Sequence, residues 1–248
     1  MKTLILAAGY GTRLYPLTKD TAKALLSLGD CTLLDVVADG LLRAGAQDIT
    51  VLSNNRFYAD FCSWAMSFGS EISVMSDGSD SPENMLGAIG GLIFFYDKKS
   101  YSGDLFIIGS DNLFSWELDG FFEFVKKNNV PAVGVYNMKD ISVVAEKFGV
   151  VEIDPGNNRI ISFEEKPSQP RSALIGTCIY YLPASCKKYL DQYAGEGYCK
   201  DAIGQFFAWL SAKLDVFAYE FNGVWLDIGH IDSLNEAKEL IKNGEINI

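Results

Sequence analysis

A short apolar run near the start of the chain ends in a glycine-rich turn. The segment 3–8 has the length and branching of a buried strand, and Gly-Tyr-Gly-Thr-Arg follows it at positions 9–13. Gly9 and Gly11 let the backbone turn sharply and approach a ligand closely. Successive backbone N–H groups in such a turn bind anions, and the guanidinium of Arg13 suits phosphate oxygens. This segment therefore predicts a triphosphate-binding loop.

Two common classes of glycine loop do not fit this segment. The dinucleotide-binding fingerprint needs a third glycine where this chain has Leu14, so the interpretation as an NAD(P)-dependent oxidoreductase fails. The Walker lysine follows its second glycine directly, and Thr12 stands there instead. Lys23 adds a second cation from the same loop. Taken alone, the loop is also compatible with an ordinary turn after a strand, so its interpretation depends on later motifs.

Strand-like and helix-like segments alternate through the first half of the chain, which indicates a doubly wound α/β sheet. The predicted segments are a helix over 32–44, a strand over 48–53, a helix over 56–68, a strand over 71–77 and a strand over 104–110. Asp111 follows the last of these strands. Because open α/β sheets bind ligands at the carboxyl ends of their strands, the Asp111 carboxylate is a candidate ligand for Mg²⁺.

The second half of the chain contains a hairpin signal. Pro-Gly-Asn-Asn at 155–158 lies between two apolar runs and predicts an antiparallel excursion from the main sheet. The second arm of this hairpin ends in Glu-Glu-Lys-Pro at 164–167. A carboxylate there suits sugar hydroxyls, and an ammonium suits a phosphate.

Three motifs resemble the sugar-nucleotide pyrophosphorylases, the nucleotidyltransferases that join a nucleoside triphosphate to a sugar 1-phosphate. They are Leu-Ala-Ala-Gly-x-Gly-Thr-Arg-Leu at 6–14, Glu-Glu-Lys-Pro at 164–167 and Trp-x-Asp-x-Gly at 225–229. The pattern is most similar to the glucose-1-phosphate thymidylyl- and uridylyltransferases. The chain departs from it at Ala22, where the family usually has proline, and at Ser110, which is inserted before the aspartate. It also lacks the family's usual base-contacting stretch.

The resemblance implies an α/β fold with a Rossmann-like mixed, mostly parallel sheet flanked by helices and a small antiparallel sugar-binding lobe. We expect one nucleotidyltransferase domain over residues 1–248. Its nucleotide-binding half covers about 1–130 and its sugar-phosphate-binding half about 131–248.

The resemblance also implies the residues of the site. Arg13, Lys23 and Lys166 are expected to act on the phosphates, and Asp111 and Asp227 to hold one Mg²⁺. Nucleotide contacts are expected at Leu6, Ala8, Gly9, Gly11, Thr12, Arg13, Lys23, Glu83, Asn84, Gly87 and Asp111. Sugar-phosphate contacts are expected at Asn112, Gly149, Glu165, Lys166 and Gly176.

Composition bears on the partners. The chain has 21 Lys and Arg against 32 Asp and Glu, a net charge of −11, which argues against nucleic acid and anionic membranes. Phosphorylated small molecules are still compatible, because local cations and a carboxylate-held metal bind them. The five cysteines lack C-x-x-C spacing and indicate reduced thiols in the cytoplasm. The apolar content allows a homo-oligomer without locating an interface.

The sequence leaves the substrates open. The favoured pair is dTTP or UTP with glucose 1-phosphate. Alternatives are CTP or GTP with another hexose, an aminosugar phosphate or phosphocholine, although Glu165 and Lys166 argue against choline, for which an aromatic box is expected. A non-catalytic nucleotide-binding homologue is a further alternative, against which the intact Arg13, Lys23 and Asp111 argue.

Overall fold

The computed structural model of this chain describes residues 1–246. The strands are β1 (Lys2–Ala7), β2 (Ile49–Ser53), β3 (Ile72–Ser76), β4 (Leu105–Gly109), β5 (Asn112–Phe114), β6 (Ala132–Asn137), β7 (Gly149–Ile153), β8 (Ile160–Glu165), β9 (Leu174–Leu182), β10 (Phe217–Phe221) and β11 (Trp225–Asp227). The α-helices are α1 (Leu33–Arg43), α2 (Tyr58–Ala65), α3 (Gly87–Lys98), α4 (Asp119–Asn128), α5 (Lys187–Gly195), α6 (Ile203–Ser211) and α7 (Ile231–Lys242).

The chain divides into two compact units, each assembled from segments that are distant in sequence. Unit 1 consists of Met1–Leu86, Ile108–Gly120 and Gly223–Ile248, and unit 2 of Gly87–Ile107 and Phe121–Asn222. The C-terminal helix therefore belongs with the N-terminal strands. The predicted functional halves, about 1–130 and 131–248, stay a prediction.

Unit 1 contains parallel strands followed by helices. β1 pairs with β2, and β2 with β3, all in parallel, and every residue of β2 is buried. This burial on both faces explains why β2 does not alternate strictly between apolar and polar residues, and its Thr50 and Ser53 are buried as well. The predicted strand–helix alternation is confirmed here, with shorter helices than predicted: the segment predicted as a helix over 56–68 forms α2 and then a 3₁₀ turn over Met66–Phe68.

A two-stranded antiparallel ribbon in unit 1 is absent from the sequence-based prediction. β5 pairs with β11, with Asp227 opposite Asn112 and Trp225 opposite Phe114. Each strand has only three residues, too few for a recognisable period of two. The ribbon matters because it holds two predicted site segments next to each other.

Unit 2 contains the predicted hairpin. β7 and β8 pair antiparallel, with Gly149 opposite Glu165, and β7 also pairs with β9. β6 pairs antiparallel with β9 and parallel with β10. The central sheet is thus mixed, mostly parallel and flanked by helices, as predicted. Among the described residues, no helix is both long and apolar enough to cross a membrane.

Helix α1 of unit 1 begins with a side-chain cap that can be tested by substitution. Thr32 is the N-cap: its Oγ1 accepts a hydrogen bond from the Asp35 N–H at 3.2 Å, and its own N–H donates to Asp35 Oδ2 at 2.6 Å. We expect Thr32→Ala to lower the free energy of unfolding by about 1 kcal/mol, because one amide at the helix start loses its acceptor. Urea denaturation measures this loss. Thr32→Ser keeps the hydroxyl and is the control, and equal stability of the two variants would contradict the capping role.

Candidate active site

The glycine turn after β1 is fixed by contacts that require glycine at position 11. Gly11 has φ = 61°, and a Cβ there would lie 3.1 Å from the Lys23 Cβ and 3.2 Å from the Thr18 Cγ2. The buried Thr18 hydroxyl donates to the Gly11 carbonyl at 2.7 Å. Gly9, in contrast, is exposed and has open space around it. The turn therefore has a fixed base and an accessible backbone, as anion binding requires.

Asn54, which the sequence analysis missed, supports the same turn. It follows β2, is fully buried, and donates from Nδ2 to the Ala8 carbonyl at 3.1 Å. Its Oδ1 accepts the Phe57 N–H at 3.0 Å. The available signal was an asparagine directly after a short, β-branched run, since a buried amide at a strand end needs partners.

A second link connects the glycine turn to the loop after β3. The buried Tyr10 hydroxyl lies 3.4 Å from Ser79 Oγ, which donates to Asp77 Oδ1 at 2.7 Å. Burial, more than any neighbouring group, raises the pKa of Tyr10, so the phenol stays a neutral hydrogen-bonding group. The predicted phosphate loop is therefore held by hydrogen bonds to the segments that follow β2 and β3.

Two carboxylates and their cations form the charged centre of unit 1. Lys23 Nζ lies 2.8 Å from Asp111 Oδ2, and both side chains are partly buried. The pKa of Asp227 is raised to about 6, mainly by burial and next by the neighbouring Asp111. Lys23, His230 and Arg13 act in the opposite direction and offset part of this rise. The opposing effects show that the four predicted phosphate and metal residues of this unit, Arg13, Lys23, Asp111 and Asp227, share one electrostatic environment.

This donor set fits a divalent cation that is shared with a phosphate. Within residues 1–246 no group of three or more His, Cys, Asp or Glu side chains could hold a metal alone. Mg²⁺ is commonly held by one or two carboxylates, with waters and substrate phosphates completing its shell. Asp111 and Asp227 meet that requirement, because their mutual repulsion favours a cation between them.

The residues predicted to read the base have local roles in the structure. Asn84 Oδ1 accepts the N–H groups of Asp80 and Ser81 at 3.1 and 3.0 Å, which closes the turn before α3. Glu83 is exposed, and a hydrogen bond from Ser81 lowers its pKa. Their base contacts stay a prediction.

Gly87 begins unit 2 and is needed for packing at the start of α3. Its φ is +71°, and a Cβ would lie 2.6 Å from the Lys200 carbonyl oxygen and 2.8 Å from Asp201 Oδ1. The first amides of α3 donate to the same segment, from Ala88 to the Asp201 carbonyl at 3.3 Å and from Ile89 to the Lys200 carbonyl at 2.9 Å. The glycine thus allows close approach of a neighbouring backbone, whereas a base was the predicted neighbour.

Glu165 lies in a slot of unit 2 that is bounded by glycines. A Cβ on Gly149 would lie 2.9 Å from Glu165 Oε2, and a Cβ on Gly204 of α6 would collide with the same oxygen. A Cβ added to Gly176 would lie 3.5 Å from Cζ of the neighbouring Phe163 ring. Burial raises the pKa of Glu165, and Lys166 opposes this shift. Gly204 was missed because only its tertiary neighbour shows why it is glycine.

The remaining predicted residues divide between the two units. Lys166 is exposed at the end of β8, with φ = 49° and its N–H bonded to the Phe148 carbonyl at 3.1 Å. The Leu6 carbonyl accepts the Ser110 N–H at 3.1 Å, and Thr12 begins a 3₁₀ turn. Asn112 is almost fully buried, with its side chain bonded to Trp225. Unit 1 therefore brings together Arg13, Lys23, Asp111 and Asp227 and also contains Asn112. Unit 2 contains the other predicted sugar-phosphate residues, Gly149, Glu165, Lys166 and Gly176, and the predicted nucleotide contact Gly87.

The chain belongs to the nucleotidyl transferase family, whose model matches residues 2–244. It is similar to a putative glucose-1-phosphate thymidylyltransferase from Bacillus anthracis, solved with sucrose, at 26% identity and a TM-score of 0.82, over 100% of this chain and 97% of that one. A UDP-glucose pyrophosphorylase complexed with UDP-glucose shares the fold at 20% identity and a TM-score of 0.80, over 98% of each chain. An apo UDP-glucose pyrophosphorylase also shares the fold, at 18% identity and a TM-score of 0.79, over 99% of this chain and 100% of that one. The predicted family resemblance is confirmed.

The close approach at Gly87 gives a stability test. We expect Gly87→Ala to lower the free energy of unfolding by about 1–3 kcal/mol, because φ is +71° and the new methyl group would lie 2.6 Å from the Lys200 carbonyl oxygen, a main-chain atom. Gly195→Ala in α5 is the matched control, since its Cβ meets nothing within 4 Å. Chemical denaturation compares the two. A Gly87→Ala protein as stable as the control would contradict this close backbone approach.

Proposed function

We propose that this protein is a sugar-1-phosphate nucleotidyltransferase, which condenses a nucleoside triphosphate with a sugar 1-phosphate to give a nucleoside diphosphate sugar and pyrophosphate. The Lys23–Asp111 ion pair beside Asp227 carries the proposal, because it sits in the same unit as the glycine turn and Arg13. We favour dTTP or UTP with glucose 1-phosphate. The names of the similar structures, a putative thymidylyltransferase and UDP-glucose pyrophosphorylases, support this choice.

The reaction is a displacement at the α-phosphorus. An oxygen of the sugar 1-phosphate forms a bond to that phosphorus, the bond between the α- and β-phosphates breaks, and pyrophosphate leaves with the electron pair. The nucleophile is already ionised at neutral pH, so the step needs no general base. Positioning of the two substrates and neutralisation of their charge account for catalysis of this kind.

In this proposal each cationic side chain binds a different phosphate group of the two substrates. Arg13 binds the β- and γ-phosphates and so stabilises the leaving pyrophosphate, for which a planar guanidinium is suited. Lys23 neutralises the α-phosphate and the attacking oxygen, and its ion pair with Asp111 orients the ammonium beforehand. Lys166, exposed after β8, holds the sugar phosphate. Asp111 and Asp227 would hold Mg²⁺, which supplies charge neutralisation on the phosphate oxygens.

Glu165 recognises the sugar in this proposal. Its carboxylate accepts hydrogen bonds from two hydroxyl groups on one edge of the ring. Gly149 and Gly204 leave the room in which that carboxylate lies. Partial burial strengthens such hydrogen bonds, because the local dielectric constant is lower than that of water.

Substitution of the charged centre tests the catalytic assignment. We expect Arg13→Ala and Asp111→Asn to lower the rate of pyrophosphate release by two orders of magnitude or more, roughly the size of losing a charge-stabilising group. Arg43→Ala is the control, since Arg43 is an exposed cation of α1 that pairs with Glu117 at 3.7 Å. Circular dichroism verifies folding. Near-normal turnover by either of the first two variants would contradict the assignment.

A substrate panel tests the proposed chemistry itself. Purified protein with Mg²⁺ and glucose 1-phosphate is supplied with dTTP, UTP, CTP, GTP or ATP in turn, and pyrophosphate release is measured. We expect release with dTTP or UTP. Release with CTP, GTP or ATP alone would correct the base. If glucose 1-phosphate gives no release with any of the five, the panel is repeated with an aminosugar phosphate and other acceptors, and release there would correct the sugar. If every combination is inactive, a rise in melting temperature with a nucleotide would identify a non-catalytic binder.

A further inference from the structure

A buried side-chain hydrogen bond joins the two strands of the β5–β11 ribbon. The Trp225 indole Nε1 donates to Asn112 Oδ1 at 2.9 Å, and Asn112 Nδ2 lies 3.4 Å from the Gly109 carbonyl oxygen. Asn112 is 1% exposed and Trp225 8%. Since both polar atoms of the amide are engaged and buried, Asn112 has little surface with which to contact a ligand.

The register of the ribbon places this bond next to both candidate metal ligands. Asn112 directly follows Asp111 and lies opposite Asp227. Opposite residues of an antiparallel pair project from the same face, and diagonal neighbours are within reach of long side chains. Trp225 thus reaches Asn112 diagonally on the face that Asp227 shares. The Ile228 N–H donates to the Asp111 carbonyl at 3.0 Å and adds a main-chain link at this end.

Hydrogen bonds also flank the ribbon at its other end, where the Ser115 N–H donates to the Val224 carbonyl at 3.0 Å and the Val224 N–H donates to Ser115 Oγ at 2.9 Å. The Asn112–Trp225 bond adds a buried side-chain link within the ribbon itself. With three residues in each strand, the main chain alone supplies only a few hydrogen bonds, and isolated two-stranded ribbons are marginal. A slip of one residue would turn Asp227 to the opposite face. A specific side-chain bond between the strands selects one register, because any other leaves a buried amide and a buried indole N–H without partners.

We propose that Asn112 and Trp225 are positioning residues, which hold β5 and β11 in register and thereby keep the Asp111 and Asp227 carboxylates correctly spaced for a divalent cation. This role replaces the predicted sugar-phosphate contact of Asn112. The inference rests on the proposed function in one respect, that Asp111 and Asp227 are the metal ligands.

Binding of Mn²⁺ to the full-length protein, followed by the electron paramagnetic resonance signal of free Mn²⁺, tests this role without turnover. Trp225→Phe keeps a large aromatic ring and removes the N–H donor. We expect its Mn²⁺ affinity to fall about tenfold, as when the supporting groups of a metal site are lost. Trp64→Phe is the matched control, because Trp64 Nε1 donates to Asp35 Oδ1 at 2.8 Å in the same unit. Its Mn²⁺ affinity should equal that of the wild type.

A second variant distinguishes positioning from substrate contact. Asn112→Ala should weaken Mn²⁺ binding as Trp225→Phe does, and the double variant should be no weaker than the weaker single variant, because both remove the same bond. In the turnover assay, both single variants should lower kcat and leave the KM for the sugar 1-phosphate unchanged. A raised KM in Asn112→Ala alone would indicate direct contact and overturn the inference.

Asp111→Asn and Asp227→Asn separate failure of the inference from failure of the proposed function. If these two variants lose Mn²⁺ binding while Trp225→Phe binds as tightly as Trp64→Phe, the positioning role is overturned and the metal ligands stand. If neither aspartate variant changes Mn²⁺ binding, the metal assignment fails and the positioning role fails with it.

Discussion

Repulsion between two neighbouring carboxylates is the constraint on which the candidate site depends. Asp111 and Asp227 are close enough that one raises the pKa of the other, and Lys23 compensates by pairing with Asp111 at 2.8 Å. Such an arrangement is costly without a cation and favourable with one. The turn at Gly11, which carries Arg13 and packs against Lys23, brings further positive charge to the same place. The charges of this centre are therefore arranged by the fold itself, which under the proposed function would lower the reorganisation required for nucleotidyl transfer.

How much of this the sequence predicts depends on how local each signal is. The glycine turn, the strand–helix alternation and the hairpin at 155–158 were predicted because each is encoded within a few consecutive residues. The β5–β11 ribbon was not, because three-residue strands show no periodicity and its central hydrogen bond joins residues 113 positions apart. The same reason applies to Gly204, whose close approach to the Glu165 carboxylate is a tertiary contact.

Polar residues near the ends of strands were the most ambiguous signals. Asp111 was predicted as a ligand contact from its position after a strand, and Asn112, Glu83 and Asn84 were predicted from the family resemblance. The structure gives Asn84 a turn-closing role and Asn112 a buried partner, while Asp111 faces Lys23. Only the direction of each side chain separates these roles, and that direction follows from register and tertiary packing rather than from residue type.

The interleaved construction of unit 1 has a consequence for biosynthesis. Asp111 leaves the ribosome more than a hundred residues before Asp227, and β5 pairs with β11 only once Trp225–Asp227 has been made. During that interval the nascent chain carries the glycine turn and one carboxylate but not the complete cluster, and closing so long a loop is entropically unfavourable. Assembly of the charged centre therefore waits until β11 has been synthesised, and a chain cut short before β11 carries only one of the two carboxylates.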